Sequence, residues 1–147
     1  MQNKKIRNAT EEVYAGIPFK SRLECSFYKA LKEAGLDVDY ELTKFVLIEG
    51  FKPTVPFYSR GKKLKNFKLN MKAVQPLTYT PDFIVNKDDV MFIIEAKGIE
   101  NDTYPIKRKL FRQFLENMER KCMFFEVHTK KELLQVIDII KSYEKEP

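Results

Sequence analysis

Apolar residues along this chain recur at a helical period in some stretches and alternate at a strand period in others, so it reads as helices and strands in turn. From Ser21 to Ala34 the apolar positions Leu23, Phe27, Ala30, Leu31 and Ala34 follow the helical spacing, and Gly35 ends the run. Val38 to Ile48 reads as a strand with Tyr40, Leu42 and Val46 inward. A segment broken by Pro53, Pro56, Gly61 and Pro76 follows and reads as a β-hairpin or arm. Phe83-Ile84-Val85 and Val90-Met91-Phe92-Ile93-Ile94 are rich in aromatic and β-branched residues. They flank the polar Asn86-Lys87-Asp88-Asp89 and predict a second hairpin. After Gly98, the polar run Glu100-Asn101-Asp102-Thr103 supplies a helix cap, with Ile106, Leu110, Phe111, Phe114, Leu115 and Met118 as an apolar stripe. Cys122 to Val127 is a further core strand. Thr129, with Glu132 three residues on, is a capping box for a last helix through Tyr143. The order is α-β-β-β-α-β with a C-terminal helix, an α/β sandwich.

The central hairpin carries the chemistry. Side chains alternate along a strand, so Glu95 and Lys97 point one way while Ile94 and Ala96 point the other. Counting back from a turn within Asn86 to Asp89 puts Asp82 level with Glu95 on the neighbouring strand. Two adjacent carboxylates repel, which costs stability unless a cation sits between them. Mg²⁺ suits such a place because it takes hard oxygen ligands and is usually held by one or two carboxylates plus a phosphate. A lysine beside it stabilises hydroxide or the charge developing on phosphorus. Taken singly, an acid at a strand end is an ordinary solvated turn residue, and Glu-x-Lys an ordinary weak surface pair. Here both are embedded in apolar runs, where burying charge without purpose is expensive.

Several segments together resemble the PD-(D/E)XK nucleases. They are Lys20-Ser21-Arg22-Leu23-Glu24 at a helix start, Tyr40-Glu41-Leu42 in a strand, Tyr79-Thr80-Pro81-Asp82-Phe83, Glu95-Ala96-Lys97-Gly98, and Tyr104 to Phe111 beyond. Within that superfamily the chain is similar to small phage-encoded members, including endonuclease I-type junction resolvases and a related phage family of unknown function. The resemblance implies a restriction-endonuclease-like core with an inserted basic arm. It also implies Asp82, Glu95 and the Ala96 carbonyl as metal ligands, Lys97 at the attacking water and Glu24 completing the catalytic set. The implied cofactor is Mg²⁺, with Mn²⁺ as a substitute. Junction-resolving enzymes of this type act as dimers, so a homodimer is among the implied partners. The chain departs from a minimal core in the length of the stretch between Leu47 and Leu77.

At 147 residues the chain reads as a single domain, 1–147, with an N-terminal extension over 1–20 and a basic insertion over 49–77. With 44% hydrophobic and 33% charged residues, it is globular rather than disordered. Cys25 and Cys122 follow no metal-binding spacing and read as buried free thiols of a reducing compartment. Neither a signal-peptide core nor a membrane-spanning run is present, so the expected location is cytoplasmic, in a phage-infected or bacterial cell.

Charge then singles out the insertion. Between Gly50 and Pro81 there is no acidic residue, yet Lys52, Arg60, Lys62, Lys63, Lys65, Lys68 and Lys72 all lie there; against a chain net of +6, the remainder is slightly acidic. A block of cations without counterions invites a polyanion, so Arg60, Lys62, Lys63, Lys65 and Lys68 are expected on nucleic-acid phosphates. DNA is the expected partner, and RNA would answer the same chemistry. The interleaved Phe51, Phe57, Tyr58 and Phe67 would suit bases or sugars, but the simpler expectation is that they pack on the sheet.

Two readings stay open for Glu24, which Ser21 would explain as the acid of a capping box and the resemblance as a site carboxylate. On the second helix Lys107 and Lys109 are candidates for a flanking phosphate, against a plain solvated basic face. Tyr104 would either reach the same phosphate or pack at the helix start. The lone histidine, His128, reads as structural. The expectation is a Mg²⁺-dependent endodeoxyribonuclease, with branched DNA such as a Holliday junction among its substrates. The alternative is a non-catalytic DNA-binding or regulatory module on a nuclease scaffold.

Overall fold

Alternation within two apolar runs builds the central sheet of the protein, whose computed structural model describes residues 11–62, 66–98 and 101–143. In chain order the elements begin with β1 (Glu12–Tyr14), β2 (Ile17–Phe19), α1 (Arg22–Glu33) and β3 (Val38–Tyr40). Then come β4 (Phe45–Ile48), β5 (Tyr58–Arg60), β6 (Phe67–Leu69) and β7 (Leu77–Tyr79). The chain closes with β8 (Phe83–Lys87), β9 (Val90–Ala96), α2 (Tyr104–Glu116), β10 (Lys121–Val127) and α3 (Lys130–Ser142). Contacts divide these into two units, 1–44 with 80–147 and, separately, Phe45–Tyr79.

The first unit is α/β. Its four-stranded sheet has the order β10-β9-β8-β3, with β9 and β10 parallel and the other neighbours antiparallel. A turn at Asp88-Asp89, with Asp88 at φ 54°, joins β8 to β9 and sets the register Phe83↔Ile94, Ile84↔Ile93. One face carries Phe83, Val85, Phe92 and Ile94, packed against Phe27 and Leu31 of α1 and Leu133, Val136 and Ile140 of α3. The opposite face carries Phe124, whose ring meets Phe111 of α2 edge-on at 5.1 Å. Helices therefore cover both sides. Complete burial of a Phe or Leu side chain contributes about 1.5–3 kcal/mol, so the apolar periods read from the sequence are also what holds the layers together.

Local capping follows the sequence. The Ser21 hydroxyl accepts from the Glu24 N–H at 3.1 Å, and Gly35 takes φ 80° just past the α1 C-cap, where a side chain would be strained. Thr129 caps α3 in the same way through the Glu132 N–H. For α2 the cap is Asn101, whose Oδ1 accepts from the Thr103 and Tyr104 amides; Glu100 lies outside the described residues.

Several expectations are corrected. Val38 to Ile48 is not one strand: β3 stays in the main sheet and β4 pairs with β7 in the second unit. Between them Glu41 sits at φ 46° and gives its N–H to the Asp82 carbonyl, which turns the chain out of the sheet. Leu42, expected inward, is 72% exposed, and Val46 is exposed as well. Ile106 lies outside the buried stripe of α2. Cys25 is a buried thiol, whereas Cys122 is only half-buried because its strand is at the sheet edge. Of the stretch 1–20, the described part is a β1–β2 hairpin whose Phe19 is fully buried against Tyr28 and Tyr40, so it belongs to the core.

The second unit is all β. Phe45 pairs with Tyr79 at its base, a Phe51–Val74 bridge continues the ladder, and β5–β6 forms its hairpin, with Tyr58 opposite Leu69 and Arg60 opposite Phe67. It is wider at both ends than the span 49–77.

Lys87, at the end of β8, donates from Nζ to the carbonyls of Ile140, Lys141 and Tyr143 at 2.8, 3.1 and 3.3 Å. A helix C-terminus leaves its last carbonyls short of partners, Ile140 keeping, among the described residues, only the Tyr143 N–H at 3.4 Å, and a cation there also opposes the helix dipole. Lys87→Met is expected to lower stability by about 1–2 kcal/mol in urea unfolding. An unchanged midpoint would show that this clamp contributes nothing net.

Candidate active site

The β8–β9 register carries Asp82 and Glu95 to the same level at the open end of the hairpin, on the face shared with Ile84 and Ile93. Both are buried. The Asp82 N–H donates to Glu95 Oε2 at 3.2 Å, and the Ala96 N–H donates to Asp82 Oδ2 at 2.8 Å. Each carboxylate is thus tethered to the backbone of the other's strand.

Two more acids converge from the first half of the chain. Glu24, buried at the start of α1, accepts the Ser21 hydroxyl at 3.0 Å and brings its carboxylate to Asp82. The cap and the site carboxylate are one residue serving both ends. Glu41 arrives through the same turn that breaks the strand, and carboxylate oxygens of Glu24, Glu41 and Asp82 lie within 4.8 Å of one another. Lys20 pairs with Glu41 at 2.8 Å. Burial, then the charge of Glu95, then the hydrogen bond and charge of Glu24 hold the Asp82 carboxyl well above the usual carboxylate range, against the opposing Ala96 N–H.

Lys97 lies on the Glu95 side, with Nζ 3.6 Å from Glu95 Oε1 and its side chain only 11% exposed. Its ammonium sits 3.2 Å over the Tyr104 ring, a cation–π contact that fixes a flexible side chain. Tyr104 in turn donates to Glu126 Oε1 at 2.6 Å, and Arg108 reaches both oxygens of Glu126 at 3.1 and 3.3 Å. Glu126 stands opposite Glu95 in the parallel β9–β10 register. Burial alone would raise its pKa, but the Tyr104 hydroxyl and the Arg108 guanidinium outweigh that and lower it.

Asp82, Glu95, Lys97 and Glu24 are therefore brought together as neighbours. What Ala96 gives directly is its N–H. Glu41, Glu126, Tyr104 and Arg108 complete the arrangement; of these only Tyr104 was a candidate from sequence, and for a different role. Tyr104 packs at the start of α2, buried beneath Lys97, rather than standing free for a phosphate. Glu126 carried a readable signal, an acid in an otherwise apolar strand, the feature that marks Glu95. Glu41 lay within a segment that carried the resemblance, but its place at the site depends on the backbone break. On α2, Lys107 is half-buried and Lys109 exposed; the basic residue that turns to the site is Arg108. Arg60, Lys62 and Lys68 are exposed on the second unit, and Lys63 and Lys65 lie outside the described residues. Phe51, Phe57, Tyr58 and Phe67 are exposed there, against the expectation that they pack on the sheet. His128 is exposed, with Nδ1 3.9 Å from Glu132.

The donor set suits a hard divalent cation. Glu24, Glu41, Asp82 and Glu95 gather carboxylate oxygens beside two ammoniums, Lys20 and Lys97, with Glu24, Asp82 and Glu95 buried. All the side-chain donors are oxygen, the ligand class of Mg²⁺ and Mn²⁺.

The chain belongs to the family described as protein of unknown function (DUF1064), which matches it over residues 4–131. No curated protein and no solved structure matches it. No helix among the described residues is long and apolar enough to cross a membrane.

A carboxyl whose folded pKa is depressed adds stability above its unfolded pKa, and that stability is lost as pH falls through the folded value. Tyr104→Phe keeps the ring under Lys97 and removes the hydroxyl from Glu126. The variant is expected to lose about 1–2 kcal/mol at pH 7, and the deficit should shrink once Glu126 is protonated. Urea unfolding at pH 7 and pH 3 measures this; an equal deficit at both would detach the Tyr104 bond from the Glu126 charge.

Proposed function

We propose that the protein is a divalent-metal-dependent nuclease of the PD-(D/E)XK kind, hydrolysing phosphodiester bonds in DNA. The observation that carries this reading is the burial of Asp82 beside Glu95 with Lys97 against it, at the end of an otherwise apolar hairpin. Like charges placed side by side in a core are costly, and a catalytic cation gives them a purpose. The order α1-β3-β8-β9-α2-β10, with the acids at the open ends of β8 and β9, supports the same fold family.

Glu24, Glu41, Asp82 and Glu95 would hold the metal. Bound there, a divalent cation lowers the pKa of water and stabilises charge on phosphate oxygens. The chain's own residues do the rest. Lys97 presents a positive charge beside Glu95, where a nucleophile and the attacked phosphorus would need it. Tyr104, Glu126 and Arg108 position that lysine through the ring contact and the hydrogen bonds behind it. A cavity of about 820 Å³ lined by Arg112, Arg120 and Lys121, beside the paired Arg108 and Glu126 and with Glu116 at its wall, offers a net positive surface for a flanking phosphate. The exposed cations of the second unit, Lys52, Arg60, Lys62, Lys68 and Lys72, supply sequence-independent attraction to the nucleic-acid backbone. Free thiols at Cys25 and Cys122 suit a reducing cytoplasm.

The decisive experiment is Mg²⁺-dependent cleavage of a four-way junction, its linear duplex and single strands. Glu95→Ala and Lys97→Ala are each expected to reduce cutting by at least about 100-fold while leaving DNA binding in place. Wild-type cutting by either variant would refute the assigned chemistry, and binding without turnover by the wild type would favour a non-catalytic DNA-binding module.

Metal binding has its own readout. Mg²⁺ is expected to raise the thermal midpoint of the wild type, by an amount equivalent to about 2.7 kcal/mol at a hundred times its Kd, and to leave Asp82→Asn unmoved. Without metal, Asp82→Asn should be at least as stable as the wild type at pH 7, because it removes a buried, repelled acid. Equal Mg²⁺ shifts in both proteins would place the ion elsewhere.

A further inference from the structure

The second unit leaves its apolar side chains in water to an unusual degree. Val46, Ile48, Phe51, Val55, Phe57, Tyr58, Phe67 and Leu69 are all exposed, with Tyr58 at 54%, Phe67 at 77% and Leu69 at 51%. Ordinary packing leaves large apolar groups exposed singly, and a contiguous group of them marks an interaction surface.

The hairpin register sorts these groups. Tyr58 stands opposite Leu69 and Arg60 opposite Phe67, so Tyr58, Arg60, Phe67 and Leu69 share one face, while Ser59 and Lys68 point from the other. On the first face the Tyr58 and Phe67 rings lie 5.9 Å apart and only 18° from parallel. The two rings stack on one another, and both stay largely open to water with Arg60 on the same face.

Charge identifies the occupant. Every charged residue between Gly50 and Pro81 is a cation, so a second copy of the same face would bring like charge against like. Neither Arg60 nor Lys68 has an acidic partner among the described residues. A ligand carrying both regular negative charge and flat apolar faces satisfies the surface: a nucleic-acid strand whose bases are unpaired. Duplex DNA would meet the cations but offers no base faces, because they are stacked inside.

We propose that the Tyr58–Arg60–Phe67–Leu69 face is a stacking platform for single-stranded DNA. It deepens the nuclease reading by naming DNA with unpaired bases as the substrate class, and it rests on that reading for its link to cleavage but not for binding. The bases stack on Tyr58 and Phe67, and Arg60 on the same face neutralises the backbone.

The test is fluorescence anisotropy with labelled dT20, a 20-base-pair duplex and U20, in EDTA so that nothing is cut. Wild-type protein is expected to bind dT20 at least ~10-fold more tightly than the duplex. Tyr58→Leu with Phe67→Leu keeps the apolar bulk and removes the rings, so it should lose that preference while duplex binding changes less than ~3-fold. Both rings are exposed, and circular dichroism with a thermal melt checks that the pair still folds. Equal affinity for dT20 and duplex, or an unchanged preference in the folded leucine pair, would overturn the platform. Tighter binding of U20 than of dT20 would overturn the assignment to DNA. A dimer that the leucine pair converts to monomer with DNA binding unchanged would assign the face to a second copy and likewise overturn it. Cleavage on the same samples with Mg²⁺ separates the two ideas. Cutting without single-strand preference refutes the platform alone, and single-strand preference without cutting supports the platform while refuting the hydrolytic reading.

Discussion

Two carboxylates that would repel are held in contact by the main chain at the end of one hairpin. The Asp82 amide binds Glu95 and the Ala96 amide binds Asp82, so each acid is satisfied by the backbone of the other's strand. The reciprocal bonds require the Phe83↔Ile94 register, and a slip of one strand by one residue would turn its acid to the α1–α3 face and its apolar set away from the core. Packing of Phe83, Val85, Phe92 and Ile94 below therefore fixes the electrostatics above. The helix cap at Ser21 and the turn at Glu41 close on the same point, so α1, β3, β8 and β9 meet at a cluster of negative charge.

A second layer restrains the cation of the set. Lys97 has a long, rotamer-rich side chain, and the Tyr104 ring, anchored by Glu126 and Arg108, limits where its ammonium can go. The anchor draws on both elements after Lys97, α2 and β10, so one end of the sheet holds the acids from the first half of the chain and the lysine support from the second.

Much of this was legible in the sequence because the relevant signals are periodic or local. The alternation in Phe83 to Val85 and Val90 to Ile94, with a short polar turn, was enough to count Asp82 to the level of Glu95. Ser21, Gly35 and Thr129 marked helix ends through their own hydrogen-bonding or φ preferences. The break at Glu41 was not legible, since a glutamate at positive φ has no compositional mark and the strand period runs on through Leu42 and Val46. Exposure in the second unit was hidden for a different reason: apolar content announces burial, and nothing in a linear pattern says that Phe67 and Leu69 lack a covering layer. Glu126 could have been read, by the argument applied to Glu95.

The base of the second unit has a topological consequence. Phe45 and Tyr79 are paired neighbours, so the thirty-odd residues between them leave and return through adjacent strands. Such a loop-out is an appendage on a single stem. Its length and sequence can change without moving the strands that carry the acids out of register. The stem makes the segment a self-closed insertion: residues added to it or removed from it change the loop that Phe45 and Tyr79 close and leave the Phe83↔Ile94 register where it is.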